Sequence, residues 1–123
     1  MRDPLLQRHA ISVGPPYMEK LGLAGHLDVP LQNCWNNASE IKSKLDSMLK
    51  ENLSKHPVIV YSCSLLAKFL VDTFYHKYGS QITQLDVGSC IDPWCGVISR
   101  PWHTELAKHY QLKAAQDPNH FYV

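Results

Sequence analysis

Apolar residues occur along the chain in short runs, and longer segments with helical periodicity separate these runs. The clearest run, Val58 to Tyr61, is unbroken and rich in β-branched side chains, as in a strand that is covered on both faces. Three more segments have weaker strand patterns: His9 to Gly14, Leu27 to Leu31 and Ile82 to Val87. The pattern therefore predicts four short strands.

Two long segments between the strands have the periodicity of α-helices. Residues 39–53 carry their apolar side chains on one stripe, which predicts an amphipathic surface helix with Asn37 as its N-cap. Residues 64–78 carry apolar side chains around most of the circumference, which predicts a more deeply buried helix that ends at Gly79. Two shorter helices are predicted from Tyr17 to Leu23 and from Pro101 to Tyr110.

The alternation of strands and helices indicates β-α-β units, whose right-handed crossovers make neighbouring strands parallel. The sequence therefore predicts an α/β fold with an open, mostly parallel, Rossmann-like sheet of about four strands and helices on both faces. We expect one domain over residues 1–123, because no linker or internal repeat interrupts the chain. Residues 114–123 show no periodicity and are expected to form a tail.

Composition and charge exclude several classes of protein. Of the 123 residues, 45% are hydrophobic and 19% are charged, which rules out a disordered or fibrous chain. The formal net charge of +1 provides no electrostatic footprint for nucleic acid. No apolar run approaches the ~20 residues of a membrane span, and the first residues lack the apolar segment of a secretory signal. We therefore expect a cytoplasmic protein that binds no nucleic acid and does not span a membrane.

The four cysteines give no sign of a disulfide framework or a structural metal site. Because nothing marks the chain as secreted, we expect reduced thiols. Cys90 and Cys95 enclose a four-residue gap that occurs in some metal sites. No second close pair and no suitably spaced histidine accompany them, so no structural zinc is expected.

Two candidate binding segments follow predicted strands, at the edge where open parallel sheets bind their ligands. Gly14 ends the first strand and begins a rigid turn without a bulky side chain. Ser62 and Ser64 lie between the clearest strand and the buried helix, where the first amides of the helix can hold a phosphate or carboxylate. The alternative is that Ser64 caps its own helix. Cys63 has no assignable histidine partner and is expected to be a buried thiol.

A third candidate segment, residues 88–100, has neither helical nor strand periodicity. Connections in such folds usually span about 2–6 residues, and longer ones are usually functional or form a docking surface. Its candidate groups are backbone amides at Gly88 and Ser89, a hydroxyl-accepting or metal-binding carboxylate at Asp92, a stacking ring at Trp94 and a phosphate-pairing guanidinium at Arg100.

Residues 88–100 also have a structural interpretation, as a lid in which Asp92-Pro93 forms a turn, Trp94 fills the core and Arg100 pairs with Asp86 or Asp92. We favour function, because the polar groups converge at the ligand-binding end of the sheet. His103 follows the segment as a candidate acid or base, and its alternative is a packed surface residue. The motifs of dinucleotide oxidoreductases, P-loop enzymes and ordinary serine hydrolases do not occur.

A succession of short motifs runs through residues 9–103. They are Val13-Gly14-Pro15-Pro16, Val29-Pro30-Leu31-Gln32-Asn33-Cys34-Trp35, Val58-Ile59-Val60-Tyr61-Ser62-Cys63-Ser64, and Leu85-Asp86-Val87-Gly88-Ser89 with Asp92-Pro93 and Ser99-Arg100. This succession resembles the carboxy-terminal part of the GT-D-type glycosyltransferases. The resemblance implies a Rossmann-like domain that transfers a hexose from a uridine-diphosphate sugar to an acceptor hydroxyl, usually with a divalent Mn²⁺ or Mg²⁺.

The resemblance also implies roles for individual residues. Arg100 and the amides of Gly88 and Ser89 would stabilise charge on the leaving diphosphate. Asp92 would orient the sugar or activate the acceptor, so that Asp92 and Arg100 are the catalytic candidates. The implied substrate-binding residues are Gly14, Ser62, Ser64, Gly88 and Ser89, and the stacking candidate Trp94 joins them.

The chain also departs from the family pattern. Family members carry an Asp-x-Glu metal and nucleotide motif in an amino-terminal half for which this chain has no counterpart. The acidic residues of the first thirty positions are Asp3, Glu19 and Asp28, and none has that spacing. No cofactor is evident in the chain itself, and we expect a partial domain with little turnover alone. The alternatives are a non-catalytic module that self-associates or docks on a partner chain, and a sugar-modifying or phosphosugar-binding protein of another Rossmann-like family.

Overall fold

Four parallel strands form one sheet with the strand order β2-β1-β3-β4. The strands are β1 (Ala10–Gly14), β2 (Gly25–Asp28), β3 (Val58–Tyr61) and β4 (Thr83–Asp86). In the observed register, β1 places Ser12 opposite His26 of β2 and Val13 opposite Tyr61 of β3. The parallel sheet confirms the predicted α/β fold class.

The structure, a computed structural model, describes residues 8–30 and 32–110. The chain divides into two compact units, residues 1–86 and residues 87–123. All four strands belong to the first unit. The single domain expected over residues 1–123 stays a prediction, and the expected tail at residues 114–123 lies outside the described residues.

Helices connect the strands of the first unit and also occur in the described part of the second, residues 87–110. The α-helices are α1 (Ala38–Asn52), α2 (Leu65–Tyr78) and α3 (His103–His109). Short 3₁₀ helices span Pro16–Leu21, Cys34–Asn37, Leu53–Lys55, Gly79–Gln81 and Asp92–Cys95. Among these described helices, none is both long enough and apolar enough to cross a membrane.

One face of the sheet packs against α1 and α2. The main buried cluster joins Ile11 and Val13 of β1 to Ile59 and Tyr61 of β3. The same cluster contains, from the helices, Ile41, Leu45, Leu49, Leu66, Leu70 and Phe74. Each large apolar side chain that is buried in this way stabilises the fold by about 1.5–3 kcal/mol.

The other face of the sheet contacts the 3₁₀ helix Pro16–Leu21. A β-carbon added to Gly14 would lie 2.3 Å from Met18 Sδ, and Met18 is fully buried. Successive strand residues point to opposite faces, so Met18 lies on the face opposite Val13. Helical elements therefore cover both faces of this sheet, as predicted.

Most predicted element boundaries agree with the structure to within one or two residues, and two elements differ more. The helix predicted at residues 17–23 is the 3₁₀ helix Pro16–Leu21, which ends because Gly22 adopts a left-handed conformation with φ of 68°. The strand predicted at residues 27–31 is shifted to Gly25–Asp28. Pro30 has no amide hydrogen for the ladder, and Leu31 lies outside the described residues.

Candidate functional site

The carboxyl ends of β1 and β3 bring Gly14 and Ser62 together. Ser62 extends the sheet by one hydrogen bond, since its amide donates to the carbonyl of Val13 over 2.9 Å. A β-carbon on Gly14 would lie 2.9 Å from the Ser62 carbonyl oxygen and 3.3 Å from its Cβ. Because Gly14 has no side chain, Ser62 and Met18 of this chain lie close to its backbone. A substrate contact at Gly14 stays a prediction.

Ser64 has an unusual backbone conformation between β3 and α2. Its φ of 55° and ψ of −134° favour glycine, and its side chain is exposed. Ser64 occupies the N-cap position, but its hydroxyl makes no capping hydrogen bond. The alternative in which Ser64 caps its own helix is therefore wrong, because this backbone conformation does not direct the hydroxyl to the helix amides.

Side chains of two kinds surround the start of α2. Lys68, one turn along the helix, lies 3.8 Å from the carboxylate of Asp86 at the end of β4. Leu65 is 73% exposed and Trp35 is 57% exposed, while the Trp35 ring meets the Phe69 ring edge-on at 5.4 Å. Charged and aromatic groups therefore both lie near the Ser64 turn.

Cys63 lies between the two serines and is buried, as expected. Burial, together with the nearby Cys34 and Asp86, raises the pKa of the Cys63 thiol to about 12. Because the thiolate is the nucleophilic form, Cys63 is inert at neutral pH. All four cysteines are reduced, and Cys34 Sγ lies 3.9 Å from the Cys63 carbonyl oxygen.

A chain of hydrogen bonds that the sequence does not predict joins Ser12, His26 and Asp28. Ser12 Oγ lies 2.6 Å from His26 Nδ1, and His26 Nε2 lies 2.7 Å from Asp28 Oδ1. The register of β1 and β2 places Ser12 directly beside His26, and Asp28 follows two residues later on the same face. In the sequence, the alternation His-x-Asp in a short strand is the signal that indicates a shared face for His26 and Asp28.

Asp28 also lines a pocket of about 290 Å³ beyond the carboxyl end of β2. Pro16 and Pro30 contribute apolar surface, and the first turns of α1 contribute Glu40 and Lys44. Asn37 is the N-cap of α1, as predicted, but its side chain makes no capping hydrogen bond to the backbone. The pocket and the hydrogen-bonded chain of Ser12 and His26 share the residue Asp28.

Asp92 lies in the second unit and is 2% exposed. The Ser99 hydroxyl donates to Asp92 Oδ2, and the amide of Val97 donates to the Asp92 carbonyl over 3.1 Å. Asp92 is the first residue of the 3₁₀ helix Asp92–Cys95, and its hydrogen bonds to Ser99 and Val97 hold the residues after this helix against its start. A buried carboxylate that already accepts a hydroxyl is better placed to hold the segment than to reach a substrate.

Arg100 and Trp94 contact their own segment of the second unit. Arg100 is exposed, and its guanidinium donates to the carbonyl of Ser99 over 2.9 Å. The half-buried Trp94 places its ring 5.3 Å from the ring of Tyr110.

Gly88 has a φ of 56°, and a β-carbon there would meet nothing within 4 Å. The Ser89 carbonyl accepts the amide of Asp92 over 3.1 Å.

His103 is completely buried, so its interpretation as a packed surface residue is wrong. Its Nδ1 accepts hydrogen bonds from the amides of Ser99 and Arg100, at 3.1 and 3.2 Å. Burial lowers the pKa of His103 and Arg100 lowers it further, against the opposing effects of Asp92 and the Ser89 backbone. His103 is therefore neutral at pH 7, with its proton on Nε2.

The residues present do not fit the divalent cation that the family resemblance implies. Within residues 8–30 and 32–110, no three or more side chains of His, Cys, Asp and Glu are arranged to hold a metal ion. Carboxylate oxygens are the usual ligands of Mg²⁺ and Mn²⁺. We therefore derive no chemical step through a metal.

Comparison of the chain with protein-family models, curated proteins and solved structures finds no match. The resemblance to the GT-D-type glycosyltransferases thus rests on the motifs of the sequence, and it stays a prediction. What the structure adds is the parallel sheet and the positions of the candidate residues within each unit.

Proposed function

We propose that this protein binds a uridine-diphosphate hexose and transfers the hexose to an acceptor hydroxyl, as the GT-D-type glycosyltransferases do. The observation that carries the proposal is the conformation of Ser64. Its positive φ leaves the first turn of α2 without a side-chain cap at the carboxyl end of a central strand. Amides at the start of a helix attract phosphate groups, because they lie at the positive end of the helix dipole. Of the first turn, the Ala67 amide donates to the Ser64 carbonyl over 3.1 Å, so the proposal rests on the amides before it.

The surroundings of Ser64 support a nucleotide as the ligand. Lys68 provides a positive charge one helical turn from the amides, and its ion pair with Asp86 is long, at 3.8 Å, and easily exchanged for a phosphate. The exposed ring of Trp35 offers a stacking surface for a base. Arg100 belongs to the second unit, and its pairing with a diphosphate stays a prediction of the family resemblance.

The test measures binding of UDP and UDP-hexoses to the purified chain by calorimetry, and release of UDP in the presence of simple sugars. We expect Lys68→Gln to weaken UDP binding about 5- to 10-fold, since it removes one charge-assisted contact. Ser64→Gly keeps the backbone conformation and removes only the hydroxyl, so we expect a smaller, about 3-fold loss. Lys42→Gln, an exposed lysine on α1, is the matched control.

The proposal requires that the wild-type chain bind UDP. Absence of UDP binding at millimolar concentration would overturn it, as would equal losses in Lys68→Gln and Lys42→Gln. UDP binding without any UDP release would leave a nucleotide-binding module and would exclude the transfer.

A second candidate function is an assembly module that pairs with a second copy of the chain. Exposed Leu65 and Trp35 favour it, since large apolar side chains that lie together at a surface mark interaction sites. Light scattering separates the two candidates. A monomer that binds UDP supports the transferase, and an oligomer that ignores UDP and dissociates in Leu65→Lys supports the assembly module.

A further inference from the structure

The strand β4 lies at one edge of the sheet. In the part of the chain that the structure describes, β4 pairs with β3 on one side and with no strand on the other. The amide of Thr83 donates to the carbonyl of Pro57, just before β3, over 3.0 Å. Because successive residues of a strand direct their backbone groups to opposite sides, Gln84 directs its amide and carbonyl away from β3. An edge strand of this kind can pair with a strand of another chain.

The helix α2 runs beside β4 in the opposite direction. Lys68 lies 3.8 Å from the carboxylate of Asp86 at the end of β4. The side-chain amide of Gln84, two residues earlier in β4, donates to the carbonyl of Val71, three residues later in α2, over 3.1 Å. The level of Leu85 in β4 therefore lies between Lys68 and Val71 of α2.

The outer surface of α2 carries a stripe of four exposed side chains, which are Leu65, Lys68, Asp72 and Tyr75. Their spacing of three, four and three residues places them on one face of the helix. Leu65 is 73% exposed and Tyr75 is 66% exposed, so both ends of the stripe are apolar surface in contact with water. The order along the helix is apolar, basic, acidic, apolar. Such a stripe is complementary to a second copy of itself that runs in the opposite direction.

A twofold axis beside Leu85, perpendicular to the sheet, gives β4 a favourable partner in a second copy of β4. The two strands are then antiparallel, with Leu85 opposite the partner's Leu85 and Gln84 opposite the partner's Asp86. Leu85 is 42% exposed, so this pairing removes apolar surface from water. The neighbouring registers are less favourable. One of them places Asp86 opposite the partner's Asp86, and the other places it opposite the buried Ile82 of the partner subunit.

The same axis brings the two copies of α2 together on one face of the continuous sheet. Helices in contact lie about 8–10 Å apart, about two strand spacings, so a helix that covers the edge strand reaches its copy. Lys68 then pairs with the partner's Asp72, and Leu65 packs against the partner's Tyr75, because each pair is centred near the level of Leu85. The ion pairs that these two charges form within the chain are long, at 3.8 and 3.5 Å, so both charges can also pair across the axis.

We propose that two copies of this chain form a twofold-symmetric dimer, in which β4 pairs with the partner's β4 and the outer stripes of α2 pack together. The same surface is used on both copies, so the assembly closes at two chains. The dimer does not depend on the proposed hexosyl transfer, and it gives the assembly module a defined interface. One short strand and about three turns of helix make a small interface, so we expect a dissociation constant on the order of 10–100 μM.

Sedimentation equilibrium of the full chain tests the dimer. We expect a mass that rises with concentration from the 14.0 kDa of the chain to about twice that value. A constant monomer mass up to millimolar concentration would overturn the proposal. Particles that continue to grow beyond two chains would indicate pairing of β4 with the other edge strand, β2, and would overturn it as well.

Two charge-reversal variants test the pairing of the α2 helices. Asp72→Lys and Lys68→Asp each place like charges opposite each other, so each variant alone should dimerise about 10-fold or more weakly than the wild type. An equimolar mixture of the two restores opposite charges at both contacts and should form a mixed dimer with about the wild-type affinity. Glu51→Lys, the same charge change at an exposed position of α1, is the matched control and should dimerise as the wild type does. A mixture without recovery excludes this pairing.

Hydrogen exchange of the wild-type chain tests the pairing of β4. The Gln84 amide points away from β3 and is hydrogen-bonded in the dimer, so its exchange should slow about 3-fold or more between dilute and concentrated protein. The Leu85 amide points towards β3 in both states and should change less. Leu85→Lys places two like charges at the axis and should remove the protection of Gln84. Equal exchange of Gln84 at both concentrations refutes the pairing of β4.

The dimer and the proposed function fail separately in these measurements. A monomer that binds UDP overturns the dimer alone. A dimer that does not bind UDP overturns the hexosyl transfer alone and leaves the assembly module.

Discussion

Asp46 of α1 accepts the hydroxyl of Tyr78, the last residue of α2, although 32 positions separate them in the sequence. Lys77 donates to the same carboxylate over 2.8 Å, and Lys50 lies 3.3 Å away. Burial raises the pKa of Asp46, but the hydrogen bonds from Lys77, Tyr78 and Lys50 outweigh it and lower the pKa to about 2. The two helices that cover the sheet are thus joined by one ionised carboxylate.

Replacing Asp46 should destabilise the fold. Asp46→Asn removes the charge that two lysines and a tyrosine share, and we expect the free energy of unfolding to fall by about 1–3 kcal/mol. Urea denaturation, followed by circular dichroism, measures the loss. Asp72→Asn, at an exposed position of α2 beside His76, is the matched control and should change the stability by less than about 0.5 kcal/mol. Equal losses in the two variants would contradict this role of Asp46.

Acid should weaken the protein through the same carboxylate. The pKa of Asp46 is lowered from 3.8 to about 2 in the folded state, so the unfolded chain binds the proton first as the pH falls. The stabilisation is complete above pH 3.8 and is lost between about pH 4 and pH 2, with at most about 2 kcal/mol involved. Unfolding at a series of pH values should show this loss in the wild type. A loss of the same size in Asp46→Asn would assign it to other groups.

His103 should make stability depend on pH near neutrality. Its folded pKa is lowered from 6.5, chiefly by burial, so the unfolded chain takes up the proton at a higher pH than the folded chain. Stability is therefore complete above pH 6.5 and decreases as the pH falls below it. His103→Gln retains an acceptor for the two amides and should remove this dependence. The free energies of unfolding at pH 7.5 and pH 5.5 measure the difference.

His109→Gln is the control for that comparison, because His109 lies at the exposed end of α3. It should leave the pH dependence as in the wild type. The role of His103 is excluded if His103→Gln and the wild type lose the same stability between the two pH values.

Gly14 should not tolerate a side chain. A β-carbon there would lie 2.3 Å from Met18 Sδ and 2.9 Å from the Ser62 carbonyl, so the backbone of two strands would have to separate. We expect Gly14→Ala to cost about 2 kcal/mol or more. In Gly25→Ala the nearest atom is the flexible Met48 methyl at 3.3 Å, and the change should be close to neutral. Thermal unfolding of both variants checks this, and similar melting temperatures would contradict it.

Part of the candidate site could be predicted from the sequence because it follows from local signals. Ser62 and Ser64 lie between a continuous apolar run and a long helical pattern, so the strand-to-helix turn could be predicted from neighbouring residues alone. The backbone conformation of Ser64 could not, since no glycine marks it. The burial of Asp92 and His103 was also missed, because both residue types are usually exposed.

The chain of Ser12, His26 and Asp28 depends on strand order. Ser12 and His26 are 14 positions apart and meet only because β2 pairs with β1 in one particular register. A shift of that register by one residue would turn His26 to the other face of the sheet. Periodicity identifies strands, but it does not specify which strands pair or which side chains face each other.

The sequence by itself determined the α/β class and the limits of β3 and α2, because apolar periodicity is a local property that the backbone geometry of each element imposes. Only the tertiary structure decided the strand order, the links of Asp46 to Tyr78 and of Ser12 to His26, and the pocket that Asp28 lines together with residues of α1. These features join residues that are distant in the chain. They depend on how whole elements pack together, and no short segment of sequence encodes that packing.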